Sequence, residues 1–269
     1  MKVHAAGRTD VGLVRQNNED SYYMDESIGL YVVADGMGGH ASGEVASRMT
    51  VDIMRDYFKG MDKGKPVQIG PYDRELSDVT NCLASSIRLA NMAVYEAGKG
   101  NPELRGMGTT VAAVQIDGRR LSIAHVGDSR VYLIRARNIE QLTDDHSIVY
   151  EQMQRDLITR EQAAKSELRN ILTRALGTTD DVEVELAEMT LVPDDILLLC
   201  SDGLTGMVDD DELLSVATAI TDPVMACKRL IAMANANGGK DNITVVIARS
   251  EGQKRRFPLL SKIFKWFWR

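Results

Sequence analysis

The chain has 269 residues, 44% of them hydrophobic, enough for a real core in one large domain or two small ones. Its net charge of −7 is uneven: residues 251–269 hold six cations against one acid, which leaves −12 on the body. An acidic body argues against nucleic acid as a partner and suits a protein that gathers cations. Cys82, Cys200 and Cys227 are scattered without CxxC spacing, so neither a disulfide framework nor a zinc site is indicated, and a reduced, cytoplasmic setting fits. The opening MKVHAAGRTDVG lacks the apolar stretch of a signal peptide, and no run approaches the roughly 20 apolar residues of a spanning helix. The expectation is a soluble protein, at most peripheral to a membrane.

In chain order, 11–20 reads as a strand leading into a polar loop, with a second strand at Tyr22 and Tyr23. Residues 30–34 form a β-branched core strand that stops at Asp35, where Gly36, Gly38 and Gly39 allow a tight turn. Ser42 then opens a helix whose apolar face, Val45, Met49, Ile53 and Tyr57, ends near Gly60. A long amphipathic helix is predicted over 75–98, with Gly98 as its stop. Strands over 109–116, 121–126, 131–134 and 139–142, separated by turn residues, predict antiparallel hairpins. Residues 147–171 are more polar and include a capping-box pattern from Thr159 to Gln162, so short helices in an excursion are expected. Strands follow at 182–189 and 195–200, helices at 209–220 and 222–237, and a last buried strand at 243–248. Helix pairs between blocks of neighbouring strands predict an α+β fold. The expected architecture is a four-layer α-β-β-α sandwich, two mostly antiparallel sheets with helix pairs on the outer faces.

Asp35, Asp128, Asp202, Asp241 and the pair Glu19–Asp20 each stand at a predicted strand end beside glycine or asparagine. Carboxylates gathered at one edge of a β core repel one another unless cations join them, and oxygen-only ligands favour Mg²⁺ or Mn²⁺ over zinc. Asp and Gly are also the commonest turn residues, so ordinary turns remain the plainer reading of each alone. Gly36, Gly38 and Ala41 match G-x-G-x-x-A, but Asp35 would face the pyrophosphate of a dinucleotide, and a loop, not a second strand, follows the helix.

Eight segments together resemble the bacterial metal-dependent protein serine/threonine phosphatases of type 2C: RQNNED (15–20), VADGMGGH (33–40), GMGTT (106–110), HVGDSRVYL (125–133), LTDDHS (142–147), TRALG (173–177), LLCSDGL (198–204) and GGKDNITVV (238–246). They stand in family order and place the catalytic domain at 1–250, with a variable flap at about 147–171. The resemblance implies two Mn²⁺ or Mg²⁺ ions. On that resemblance Asp35 would bridge them, Asp202 and Asp241 would complete one, and Glu19 with the Gly36 carbonyl would serve the other through direct or water-mediated contacts. A third ion would sit at Asp128 and Asp202. Many relatives carry an acid where this chain has Gly206, a departure that bears on that third ion. Arg15 matches the phosphate-binding arginine, whose planar fork can hold two phosphoryl oxygens. His40 is the candidate general acid. Asp20, Asp145 and Asn242 are expected to orient neighbours, and His146 to be structural.

The implied reaction is hydrolysis of phosphoserine and phosphothreonine in proteins by a metal-activated water, opposing a bacterial Ser/Thr kinase. A catalytically silent phosphoprotein-binding scaffold is the alternative, and the presence of Asp35, Asp202 and Asp241 favours the enzyme. After Ala248 the resemblance ends. Both tryptophans and three of the four phenylalanines crowd into 257–268 among Lys and Arg. This reads as an interfacial anchor for peripheral membrane contact through 254–269 at the inner membrane face, with a protein partner or docking on the body as alternatives.

Overall fold

The computed structural model describes residues 1–38, 42–61 and 67–251; His40 and the tail from 252 lie outside the described residues. One sheet runs in the order β1 (Lys2–Asp10), β11 (Ile243–Glu251), β10 (Ile196–Cys200), β7 (Arg130–Arg135) and β8 (Asn138–Gln141). The other runs β2 (Asp20–Asp25), β3 (Leu30–Met37), β5 (Val111–Asp117), β6 (Arg120–Val126) and β9 (Glu185–Thr190), with the short β4 (Gly108–Thr109) on the end of β3. Every pairing is antiparallel.

Successive strand residues point to opposite faces, and here both faces are covered. In β3, Tyr31 and Val33 meet Leu133, Leu199 and Val246 of the facing sheet, while Leu30, Val32 and Ala34 pack under helices. Those helices are α1 (Ser42–Met61) and α2 (Asp78–Gly100), which contribute Met54, Phe58, Leu83 and Ile87. On the opposite flank, α6 (Asp210–Ala219) and α7 (Pro223–Ala236) cover Ile243, Val245 and Ile247 of β11 with Leu213, Leu230 and Ile231. The result is the four-layer sandwich expected from the sequence. Each fully buried Leu, Ile or Val stabilises it by about 1.5–3 kcal/mol against exposure.

Four local differences position the site. The first strand is 2–10, not 11–20: β1 pairs with β11 over its whole length, from Lys2 opposite Glu251 to Asp10 opposite Ile243. Only Ala6 of β1 is fully buried, so a ladder partner more than 200 residues away, rather than hydrophobic pattern, makes it a strand. Second, β3 does not stop at Asp35 but continues through Met37, because β4 pairs with Gly36 and Met37. Third, α1 buries Ala46, Ser47, Thr50, Met54 and Phe58, and the predicted stripe of Val45, Met49, Ile53 and Tyr57 lies half-buried along its flank. Ser47 faces inward because its hydroxyl donates to the Glu19 carbonyl at 2.6 Å.

Fourth, 109–142 is two hairpins in two different sheets. The β5–β6 hairpin belongs to one and the β7–β8 hairpin to the other, so Gly127, Asp128 and Ser129 cross from sheet to sheet. The excursion 147–171 carries α3 (Ile148–Gln154) and α4 (Arg160–Lys165), the latter opened by the Thr159–Gln162 capping box. Its ends meet: Ile148 N–H donates to the Ile171 carbonyl at 3.0 Å. Among the described residues no helix is long and apolar enough to cross a membrane.

Candidate metal centre

The acids singled out in the sequence meet at one end of the sandwich. Asp20 opens β2 directly opposite Asp35 near the end of β3. Asp128 stands on the sheet-to-sheet crossing, Asp202 follows β10, and Asp241 precedes β11, beside β10 in the ladder. Arg15 and Glu19 reach the same end from the loop between β1 and β2, and the Arg15 guanidinium donates to Asp241 Oδ2 at 2.8 Å.

Backbone contacts hold this geometry. Asp35 N–H donates to Thr110 Oγ1 at 3.0 Å, and its carbonyl accepts from Thr110 N–H and Thr109 Oγ1, both at 2.8 Å. A Cβ on Gly36 would come within 2.1 Å of the Gly43 carbonyl oxygen and 2.5 Å of that of Glu19, so only glycine lets β3 pass between them. Gly203 serves the same end: its Cβ would fall 1.9 Å from the Asn242 carbonyl oxygen, and its absence lets the Asp202 and Asp241 segments touch.

Asn242 joins three segments. Its Oδ1 accepts from Glu19 N–H at 2.8 Å, and its amide donates to the carbonyls of Val11 at 3.0 Å and Asn17 at 2.9 Å. Asp20 is buried, with Oδ2 accepting from Ser201 at 2.7 Å and Thr244 at 2.6 Å, while its Oδ1 has no hydrogen-bond partner. Asp145 chelates Arg130 at 2.8 and 2.6 Å, and that guanidinium draws down both Asp128 and Asp202.

The electrostatics of the cluster are those of crowded like charges. Burial, then Asp20, Asp202, Asp128 and Asp241, push the Asp35 carboxyl well above the usual range. Burial and Asp202 raise Asp128 to about 8, and burial raises Asp20 to about 7 against its two hydroxyl donors. Burial and Asp241 raise Asp202, against the lowering pull of Asp35 and Arg130. Glu19 is raised by burial, partly offset by Arg15.

These residues fit hard divalent cations. The donors are all oxygens, the carboxylates destabilise one another without positive charge, and buried Asp20 Oδ1 points to nothing that hydrogen-bonds it. His125, His146 and Glu185 lie within metal-ligand distance of one another, yet do not fit an ion. Gly127 N–H donates to His146 Nδ1 at 3.1 Å, so the neutral ring carries its proton on Nε2, where it faces Glu185 Oε2 at 3.0 Å. A metal-ligating histidine does the reverse, donating through its far nitrogen. Through the Gly127 amide, His146 fixes the crossing that carries Asp128.

Arg130, Thr109, Thr110, Ser201 and Thr244, all inside the family-like segments, serve the site beyond the residues expected from the sequence. A short hydroxyl residue close to a strand-end acid was the available signal for Ser201 and Thr244; Thr109 and Thr110 have no acid nearby in the chain, and Arg130 had no signal without its partner Asp145.

An antiparallel double sheet that converges carboxylates from both sheets on one end is a scaffold suited to holding divalent cations. A family model described as Protein phosphatase 2C matches residues 12–236, and the chain belongs to that family. It is 36% identical over 250 residues to a putative protein phosphatase 2C-type of Streptococcus pyogenes, covering 91% of this chain and 97% of that one. It is 35% identical over 252 residues to the serine/threonine phosphatase Stp of Listeria monocytogenes, covering 93% and 96%. The crystal structure of the Mycobacterium tuberculosis serine/threonine phosphatase PstP/Ppp superposes with a TM-score of 0.82 at 37% identity, over 93% of this chain and 99% of that one. The PstP catalytic domain in complex with two manganese ions gives 0.80 at 36%, again over 93% and 99%.

Proposed function

We propose that the chain hydrolyses phosphoserine and phosphothreonine in proteins at the cluster of Asp35, Asp202 and Asp241, using two Mn²⁺ or Mg²⁺ ions. The observation that carries this reading is the meeting of those three acids with Arg15 at one end of the sandwich. Asp35, central to the cluster, would hold both ions; Asp202 and Asp241 would complete one site, Glu19 and the Gly36 carbonyl the other, and Asp128 with Asp202 would hold a third ion. When bound, the ions supply an acidified water and positive charge against the phosphoryl oxygens.

The protein's own residues do the rest. Arg15, half-exposed and paired with Asp241, offers its fork to two phosphoryl oxygens and aligns phosphorus for in-line attack. Asn242 and Asp20 fix the segments that carry Glu19, Asp202 and Asp241. Asp145 holds Arg130 beside Asp128. As the P–O bond breaks, the departing serine or threonine oxygen takes a proton, the role assigned to His40. The test is phosphate release from a phosphothreonine peptide with Mn²⁺, with and without chelator. Silence in every divalent metal supports the scaffold instead.

The domain division follows the same reading, with catalysis in 1–250, a flap at about 147–171 and a separate tail at 251–269. The partners are phosphorylated proteins, among them a Ser/Thr kinase and its substrates. The basic aromatic stretch 254–269 holds the enzyme peripherally at the inner face of the membrane. Co-sedimentation with anionic vesicles, lost in a chain ending at Glu251, is the expected result; equal behaviour of both chains excludes it.

A further inference from the structure

Next to Arg15 the chain exposes two large apolar side chains: Leu13 is 68% and Val14 65% accessible. No other pair of adjacent large apolar residues among those described is as exposed. The backbone that carries them is pinned. Leu13 and Val14 N–H both donate to the Gly239 carbonyl, at 2.7 and 3.2 Å, and Gly12 N–H donates to Asp10 Oδ1 at 3.0 Å. Gly12 itself takes a positive φ of 78°, with the Asp241 carbonyl oxygen 2.2 Å from where a Cβ would stand. The same peptide segment thus presents a phosphate-binding fork and, one and two residues before it, a rigid apolar surface.

We infer that Leu13 and Val14 form a subsite for an apolar side chain adjacent to the phosphorylated residue of the substrate, so that the enzyme selects apolar-flanked phosphosites. The inference rests on the phosphatase reading and on the placement of Arg15 against the phosphoryl group. Leu13 and Val14 stand two and one residues before Arg15, so their exposed surface lies within reach of the residues that flank a phosphosite held in the Arg15 fork. The surface is already ordered, so covering it removes apolar area from water without the entropy cost of fixing a loop.

The test compares two phosphothreonine peptides that differ only in the residues flanking the phosphosite, leucine in one and serine in the other. With Mn²⁺, wild-type kcat/KM favours the leucine peptide about ten-fold, through KM. In Leu13→Ser and in the near-isosteric Val14→Thr the ratio falls toward one. Equal ratios in wild type and variants, or no preference in wild type, overturn the subsite. Release of phosphate from a small aryl phosphate reports separately on the phosphatase reading. Should that fail, fluorescence anisotropy of the two labelled peptides still reads the preference as a ratio of Kd values, with the same outcomes deciding. Melting curves identify a variant that fails to fold, in which case the other decides.

Discussion

The guanidinium of Arg15 and the carboxylate of Asp241, 226 residues apart in the chain, stand 2.8 Å from each other at the end of the sandwich. The pair holds the arginine charged and aimed across the acid cluster. Arg15→Ala is expected to lower kcat/KM for a phosphothreonine peptide roughly 10- to 100-fold, the range of about 1.5–3 kcal/mol for a hydrogen bond to a charged group. Arg15→Lys recovers little, since an ammonium does not reproduce the planar fork. A lysine variant with wild-type kcat/KM would remove Arg15 from phosphate binding.

Asp35 has the most crowded carboxyl of the cluster. Asp35→Asn is expected to abolish high-affinity Mn²⁺ binding, read by isothermal titration calorimetry, together with turnover. Without metal the same variant melts higher than wild type at pH 8, because it removes a carboxyl whose ionisation burial and Asp20, Asp202, Asp128 and Asp241 all oppose. Unchanged Mn²⁺ binding would dissociate Asp35 from the ion pair.

A related dependence on pH follows from Asp20 and Asp128, whose folded values of about 7 and about 8 lie above the ordinary 3.8. A folded state that holds its protons more tightly than the unfolded chain loses stability as pH rises between the two values. In chelator, Tm is therefore expected to rise as pH falls from 8 to 5.5. Saturating Mn²⁺ should raise Tm most at pH 8. Calorimetric scans in chelator showing Tm flat or rising with pH across that window contradict the crowded-acid account.

Asp145 grips Arg130 with both oxygens, and both side chains are largely buried. Asp145→Ala strands the guanidinium inside the protein and is expected to cost about 3 kcal/mol in urea unfolding. An effect within about 0.5 kcal/mol, the scale of ordinary surface substitutions, would make the pair incidental.

Gly203 lets two acid-bearing segments touch, since a Cβ there meets the Asn242 carbonyl at 1.9 Å. Gly203→Ala is expected to cost about 1–3 kcal/mol in stability and to weaken Mn²⁺ binding, because Asp202 and Asp241 must separate. Wild-type Mn²⁺ affinity in this variant would show that their spacing is not held by that contact.

How much was legible varied with the range of the interaction. Runs such as 243–248 and the periodic 75–98, found as Asp78–Gly100, announced themselves because a strand buried on both faces is continuously apolar and a helix repeats at 3.6 residues. β1 was misplaced because its strand character comes from pairing with β11, not from its own pattern. His40 and the tail stand on sequence alone.

The sequence by itself determined the order and type of most elements, the acids at strand ends, and the segments that mark the phosphatase 2C family, since turn chemistry and hydrophobic period are local properties. Only the tertiary structure decided that Asp20 faces Asp35, that 127–129 crosses between sheets, that Arg130 needs Asp145, and that Arg15 reaches Asp241. Those relations depend on contacts between residues far apart in the chain, which no local pattern specifies until both sheets have closed on one another.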